Sequence, residues 1–320
     1  MRSRSDRLVA VATLGAFVVV TGVLGLVSLY LGAVTQALSE VPRSSPLPDY
    51  PGRPSPSVVA DAAAPLRYLV LATDNDGLAS VQLAQLSAGR DRLQLLGLPS
   101  NLLVPDAAGA ETTLTSLFAA NGGAGVLRSV EALLGTRIDH LVQLRLDTFL
   151  QVIDVIGEVR VQNEAERSAG GWNFPSGELP LSAREAVVYL TSNRQPMTEL
   201  RRTEEVFVEI LRGVVSGDAL TSPAKVEKIG TILRGCVTVD AGLTPGEIRR
   251  TAIDVHLAAE SIVGIPLPME GVSQLNGAPV TVADQTRLAE LAGAIATDEV
   301  DIWAGRQTDP WRSLPTLPPR

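Results

Sequence analysis

The feature that most constrains this 320-residue chain is an uncharged run near its start. Between Arg7 and Glu40 no residue carries a charge, and Leu8 to Val34 is almost wholly apolar, with Phe17-Val18-Val19-Val20 inside it. About 20 apolar helical residues cross the hydrocarbon core of a bilayer, so this stretch is long enough to span with some tilt. Arg2, Arg4 and Arg7 precede it against a single acid, Asp6. The positive-inside tendency then puts that end in the cytoplasm and everything after Glu40 outside. A cleaved signal peptide is the competing reading. Its apolar region is normally only about 7–15 residues, but the small residues between Ala33 and Ser39 leave cleavage open. The expected organisation is a cytoplasmic N-terminus at 1–7, a single-pass membrane anchor at 8–34, a linker at 35–66, an extracytoplasmic domain at 67–297 and a tail at 298–320.

The linker expectation rests on proline. Seven prolines fall between Val41 and Pro65, and proline fixes φ and removes a donor, which predicts an extended, semi-rigid spacer. The formal net charge is −8. An acidic chain is a poor partner for a phosphate backbone, so nucleic acid is not expected as a ligand. The single cysteine, Cys236, excludes an intrachain disulfide and reads as a small buried apolar residue. His140 and His256 have no partner at metal-ligand spacing and read as structural or surface residues.

Periodicity gives the fold class. Tyr68-Leu69-Val70-Leu71-Ala72 is an apolar run stopped by Thr73-Asp74-Asn75-Asp76-Gly77, which reads as a buried strand and a turn. Strands are also predicted over 81–86, 93–98, 140–146 and 159–161. Helices are predicted over 126–134, 149–156, 182–190, 199–215, 222–235, 284–296, and from 244 to about 263. Ser182 with Glu185 is a capping box, and Ser222-Pro223 and Thr244-Pro245 are helix starts. Strands fall mostly in the first half and helices in the second. The prediction is an α/β domain with a mixed central sheet flanked by helices on both faces.

Several segments in this order resemble the LytR-CpsA-Psr family of cell-wall glycopolymer transferases. Leu69 to Asp74 is similar to that family's first strand and acidic turn. Leu95 to Val104 resembles a strand ending in Ser-Ile-Pro-Arg-Asp. Asn121-Gly122-Gly123 through Ile138-Asp139-His140 resembles a Gly-Gly, helix, Ile-Asp stretch. Phe149 to Val161, Gly177 to Tyr189, and the run from Ser222 to Pro245 match later family segments. The match covers nearly the whole domain, and no single motif is decisive.

The resemblance implies phosphoryl transfer. A glycopolymer moves from a polyprenyl pyrophosphate carrier to peptidoglycan, with magnesium held by carboxylates and arginines around the phosphates. Carried over residue by residue, Asp74 is the candidate metal ligand, and Arg202, Arg201 and Arg194 are the candidate cations. The chain departs from the pattern elsewhere. The second aspartate falls near Ser80, Pro-Arg-Asp becomes Pro99-Ser100-Asn101, and Tyr-x-Arg-x-Arg becomes Tyr189-Leu190-Thr191-Ser192-Asn193, with Arg194 one step late. Losing several guanidinium groups predicts weakened catalysis. The alternative is a non-catalytic protein that binds polyprenyl lipid or glycopolymer. Ordinary readings stand beside these: a turn for Asp74 and Asp76, a solvated helix face with ion pairs to Glu204 and Glu205 for Arg201 and Arg202, and core packing or a lipid tunnel for the apolar stripe of the 199–215 helix.

Overall fold

The computed structural model describes residues 41–56, 64–191, 196–216, 219 and 222–307. The expected anchor and Arg194 lie outside them. Among the described residues no helix is long and apolar enough to cross a membrane.

The chain begins with a meander, β1 (Leu66–Asp74), β2 (Gly77–Leu86) and β3 (Leu93–Leu98), followed by the short pair β4 (Leu103–Pro105) and β5 (Glu111–Thr113). Helix α1 (Leu114–Leu134) leads to β6 (His140–Arg145) and two single-turn helices, α2 (Leu146–Phe149) and α3 (Ile153–Ile156). Next come β7 (Val159–Asn163), the hairpin β8 (Arg167–Ala169) and β9 (Trp172–Phe174), and β10 (Gly177–Leu181). Helices α4 (Ala183–Thr191), α5 (Pro196–Ser216) and α6 (Pro223–Cys236) precede β11 (Val237–Val239), and α7 (Pro245–Asp254) precedes β12 (Ile262–Pro266). The hairpin β13 (Met269–Leu275) and β14 (Ala278–Ala283) and the helices α8 (Gln285–Thr297) and α9 (Val300–Arg306) complete the domain.

The main sheet has the order β11-β6-β1-β2-β3-β12. β1 is parallel to β6 and antiparallel to β2, and β3 is antiparallel to β2 and parallel to β12. This is the predicted mixed sheet, and helices cover both faces. Side chains alternate across a strand, so Leu69 and Leu71 of β1 enter one core with α1, α8 and α9, while Tyr68, Val70 and Ala72 face the other, under α4 to α7. Two of the predicted caps form: Ser182 and Glu185 bond reciprocally, as do Thr244 and Glu247, whereas Ser222 starts its helix at Pro223 without a side-chain cap bond. Within α1 the helix breaks at Gly122, whose φ of 60 and ψ of −157 suit glycine.

Three expectations are corrected. The helix predicted through about Val263 ends at Asp254, and Ile262–Pro266 is an edge strand instead. Ile262 and Ile265 are fully buried, and β-branched residues suit a strand packed on one face. The proline is tolerated because β12 is an edge. The domain also extends past 297, because Val300, Trp303 and Ala304 pack into the first core. Finally, residues 41–56 lie against the domain and do not form a free spacer. Val41 is buried, and Arg43 bridges in parallel to Val239. Arg53 Nε reaches Glu131 Oε2 at 3.0 Å with both side chains almost wholly buried, and Tyr50 donates to the same oxygen at 2.6 Å. Proline restricted this segment's conformations, but non-local partners decided where it lies.

The Arg53–Glu131 pair gives a test. Removing one partner of a buried pair leaves an uncompensated charge, which commonly costs about 3–5 kcal/mol. Arg53→Ala is expected to lower urea unfolding stability by about that amount, and Glu131→Gln added to it is expected to recover part of the loss.

Candidate functional site

A cavity of about 670 Å³ opens where the C-terminal ends of β1, β3 and β6 meet the start of β2. Open α/β sheets present their ligand crevice at this edge. The β1–β2 turn supplies Asp74 and Asp76, and Asp74 Oδ1 accepts the Asp76 N–H at 2.8 Å. The segment after β3 supplies Pro99, Ser100 and Asn101. That segment is held firmly. Thr115 at the start of α1 donates through its N–H and its hydroxyl to the Ser100 carbonyl, each at 2.9 Å. Asn101 donates to the Pro279 carbonyl and accepts from the Thr281 hydroxyl. Thr191 of α4 and Leu200 and Thr203 of α5 form the opposite wall, and the interior is apolar, with Leu78, Leu98, Leu146, Val187 and Leu190.

The electrostatics are one-sided. Asp74, Asp76 and Asp147 line the cavity, and among the described lining residues there is no lysine, arginine or histidine. Asp147 is paired with Arg145 at 3.1 Å. Its carboxyl is held below the usual range: burial opposes this, but the Arg145 contact and the Thr148 N–H outweigh it.

The residues singled out from sequence divide. Asp74 and Ser80 line the cavity, as do Ser100, Asn101 and Thr191, so the segments expected to form a site do converge. Arg202 and Arg201 are not among the lining residues. Arg202 is 8% exposed, its guanidinium lies 4.9 Å from the centre of the Tyr189 ring, and Nη1 has no hydrogen-bond partner among the described residues. Arg167 lies over the same ring at 4.9 Å. Burial lowers the Arg167 pKa, and the neighbouring Arg202 charge lowers it further. Arg201 points outward to Glu164 at 2.8 Å. Helical rotation explains the split. Successive residues turn by about 100°, so Thr203 faces the cavity while Arg202 faces Tyr189.

Sequence reading missed two acids on α5 as buried groups, having paired them with arginines on a solvated face. Glu204 is 0% exposed, and neither carboxyl oxygen has a hydrogen-bond partner among the described residues. The N–H groups of Gly97 and Ile265 lie close enough to temper its pKa, but neither completes a hydrogen bond. Burial keeps the pKa well above the usual carboxylate range. Burial also raises Glu205 to about 7; the Gln162 N–H opposes this and the Glu209 charge adds to it. The one available signal was the line Leu200, Glu204, Val208 at helical spacing, which places Glu204 on an apolar stripe.

Among the described residues no three His, Cys, Asp or Glu side chains converge to hold a metal ion. The oxygen donors of Asp74 and Asp76 on one turn are too few for an all-protein cage. They suit an ion such as magnesium, which commonly takes one or two carboxylates and fills its remaining positions from water and phosphate.

The domain is thus a mixed-sheet α/β fold with helices on both faces and a cavity that is acidic at its rim and apolar inside. The model of the LytR_cpsA_psr family matches residues 79–297. The chain belongs to this family. It is 25% identical over 189 residues to the polyisoprenyl-teichoic acid–peptidoglycan teichoic acid transferase TagU of Halalkalibacterium halodurans, covering 58% of this chain and 61% of that protein. It is 27% identical over 127 residues to the cell wall biosynthesis protein LcpA of Corynebacterium glutamicum, covering 38% of this chain and 24% of that protein. The matches thus span less than two thirds of either relative. The fold is similar to that of B. subtilis TagV, with a TM-score of 0.62 and 18% identity over 74% of this chain and 97% of that one. It is also similar to a LytR-Csp2A-Psr enzyme from Actinomyces oris, with a TM-score of 0.60 and 17% identity over 80% and 96%.

Two outcomes follow from α5. The folded state holds the Glu205 proton more tightly than the unfolded chain, whose carboxyl titrates near 4.5. Its stabilising contribution is therefore complete below about pH 4.5 and lost as pH rises through about 7. Urea unfolding is expected to show stability falling across this window, with a shallower fall in Glu205→Gln. Arg201→Ala is expected to change stability by less than about 0.5 kcal/mol. Arg202→Ala, which empties a buried place over Tyr189, is expected to cost about 2 kcal/mol; equal thermal shifts in the two variants would contradict their placement.

Proposed function

We propose that this chain is a cell-envelope protein that holds a glycopolymer carried on polyprenyl pyrophosphate and transfers it toward peptidoglycan only slowly. The observation that carries the proposal is a cavity built from the family's site segments but with no basic side chain among its described lining residues. The TagU relative is a polyisoprenyl-teichoic acid–peptidoglycan teichoic acid transferase, which supports the substrate class. The uncharged run at 8–34 is read as the anchor that keeps the extracytoplasmic domain at the membrane where such a carrier lies.

In this reading the apolar interior takes the first part of the prenyl chain, and the hydroxyls of Ser80, Ser100, Thr191 and Thr203 meet the polar head. Asp74, with Asp76 beside it, would hold a magnesium ion. When bound, that ion neutralises phosphate charge. In the transfer an acceptor hydroxyl gives up its proton to solvent and forms a new P–O bond to the polymer's phosphorus, while the bond from that phosphorus to the bridging oxygen breaks and polyprenyl phosphate leaves. Charge on the transferring phosphoryl group is normally met by cations. Losing a single oxyanion donor commonly costs about 10²–10³ in rate. A rim of hydroxyls and an amide in place of arginines therefore predicts weak catalysis.

A second reading, a carrier-binding or scaffold protein without transfer, is favoured by the same placement of Arg201 and Arg202 away from the cavity. Two measurements on the full chain purified from membranes separate them. An organic extract analysed by mass spectrometry is expected to contain polyprenyl phosphate or pyrophosphate. Transfer of labelled polymer in magnesium is expected to be at least about 10²-fold slower than in an arginine-bearing relative, and slower again in Asp74→Asn. An extract free of prenyl lipid would overturn both readings, and a full transfer rate would overturn the weakening.

A further inference from the structure

The deep wall of the cavity carries unsatisfied polarity that the reading above leaves unused. Ser80 and Gln82 are neighbours on one face of β2, and Gln82 Nε2 donates to Ser80 Oγ at 3.2 Å. Ser80 lines the cavity. Gln82 is 1% exposed, and its Oε1 has no partner among the described residues. Its register partner on β3 is Gly97. A Cβ built on Gly97 would stand 2.7 Å from Leu200 Cδ1 and 3.3 Å from Glu204 Oε2, so the missing side chain leaves a notch that α5 occupies. Directly opposed strand residues share a face and have Cβ atoms about 4.5–5.5 Å apart, so the Gln82 and Glu204 side chains flank the same notch at Gly97. Gln82 Oε1 and both Glu204 carboxyl oxygens are thus buried acceptors without a hydrogen-bond partner among the described residues, a shortage that a proton or a buried water would relieve.

We propose that Glu204 is a protonated carboxylic acid that donates to Gln82 Oε1, directly or through one buried water, and so fixes the amide with Nε2 toward Ser80 and the Ser80 O–H toward the cavity. Ser80 is thereby a dedicated donor to a phosphate oxygen of the ligand, at the position where the family pattern has an aspartate. Gln82 and Glu204 are positioning residues that act only through it. Were Glu204 ionised, the amide would turn to donate to it, Ser80 would donate to Gln82, and the cavity would face an acceptor beside three carboxylates. The inference rests on reading the cavity as a site for a diphosphate head group.

The probe is inorganic pyrophosphate with magnesium, titrated into the purified full chain by calorimetry, with magnesium alone as the control. Ser80→Ala and Glu204→Leu are each expected to weaken binding roughly tenfold. The double variant is expected to bind no more weakly than either single one, because both remove one interaction. Glu204→Gln, whose amide N–H can also donate to Gln82, is expected to recover most of what Glu204→Leu loses. A merely structural Glu204 would show no such coupling to Ser80. A readout that needs no ligand is the infrared C=O stretch of a protonated carboxylic acid at neutral pH, followed in a Glu205→Gln background because Glu205 itself titrates near 7; the band is expected there, absent once Glu204→Gln is added and displaced once Gln82→Met is added. No pyrophosphate binding, unchanged binding in Ser80→Ala, multiplying losses in the double variant, or absence of the infrared band would each overturn the relay. Prenyl lipid in the extract together with any of these leaves the carrier reading standing and removes only the relay.

Discussion

The site depends on one close contact, that of α5 with the sheet at Gly97. The absent side chain lets Leu200 and Glu204 approach the backbone of β3, and this fixes both the depth and the rotation of the helix. Everything else on α5 follows from that rotation. Leu200 and Thr203 close the cavity, Glu204 is pressed into an apolar interior, and Arg202 is carried around to Tyr189. Further along the same line, Val208 joins Leu95 and Ile262, and Arg212 donates to the Ile262 carbonyl, which ties the edge strand β12 to the helix.

The consequence is electrostatic. A pyrophosphate carries its charge in a small volume, and binding it away from water requires opposite charge or well-aimed donors close by. Here the described wall offers carboxylates, hydroxyls and an amide. Arginine's planar fork can meet two phosphate oxygens at once, and a serine or threonine hydroxyl meets one. Under the proposed function, the scaffold accepts an amphipathic ligand but offers little stabilisation to a developing phosphoryl charge. The two candidate arginines among the described residues do other work: Arg202 packs on an aromatic ring inside the domain, and Arg201 makes a partly exposed ion pair of small energetic value.

Much of the layered fold was legible because it is written in short-range pattern. The apolar run of β1, the capping box at Ser182 and the helix start at Thr244-Pro245 are local signals, and each appears where it was read. The failures are non-local. The helix expected through about Val263 overran the start of Ile262–Pro266, which pairs with β3 as a strand. Residues 41–56 looked like a free spacer because nothing nearby in sequence announces Glu131 as the group that receives Arg53 and Tyr50.

By itself, then, the sequence determined the α/β class, the resemblance to the family and the chemical identity of the groups at the expected site, including Ser80, Ser100 and Thr191 where charge was anticipated. Only the tertiary structure decided which of those groups face the cavity, that Arg202 does not, and that Glu204 is buried without a partner. Spacing along a helix says which residues share a face, but the direction of that face is set by what packs on it. Here that was settled by a glycine on β3 about a hundred residues away in the chain, through a steric contact that no local propensity encodes.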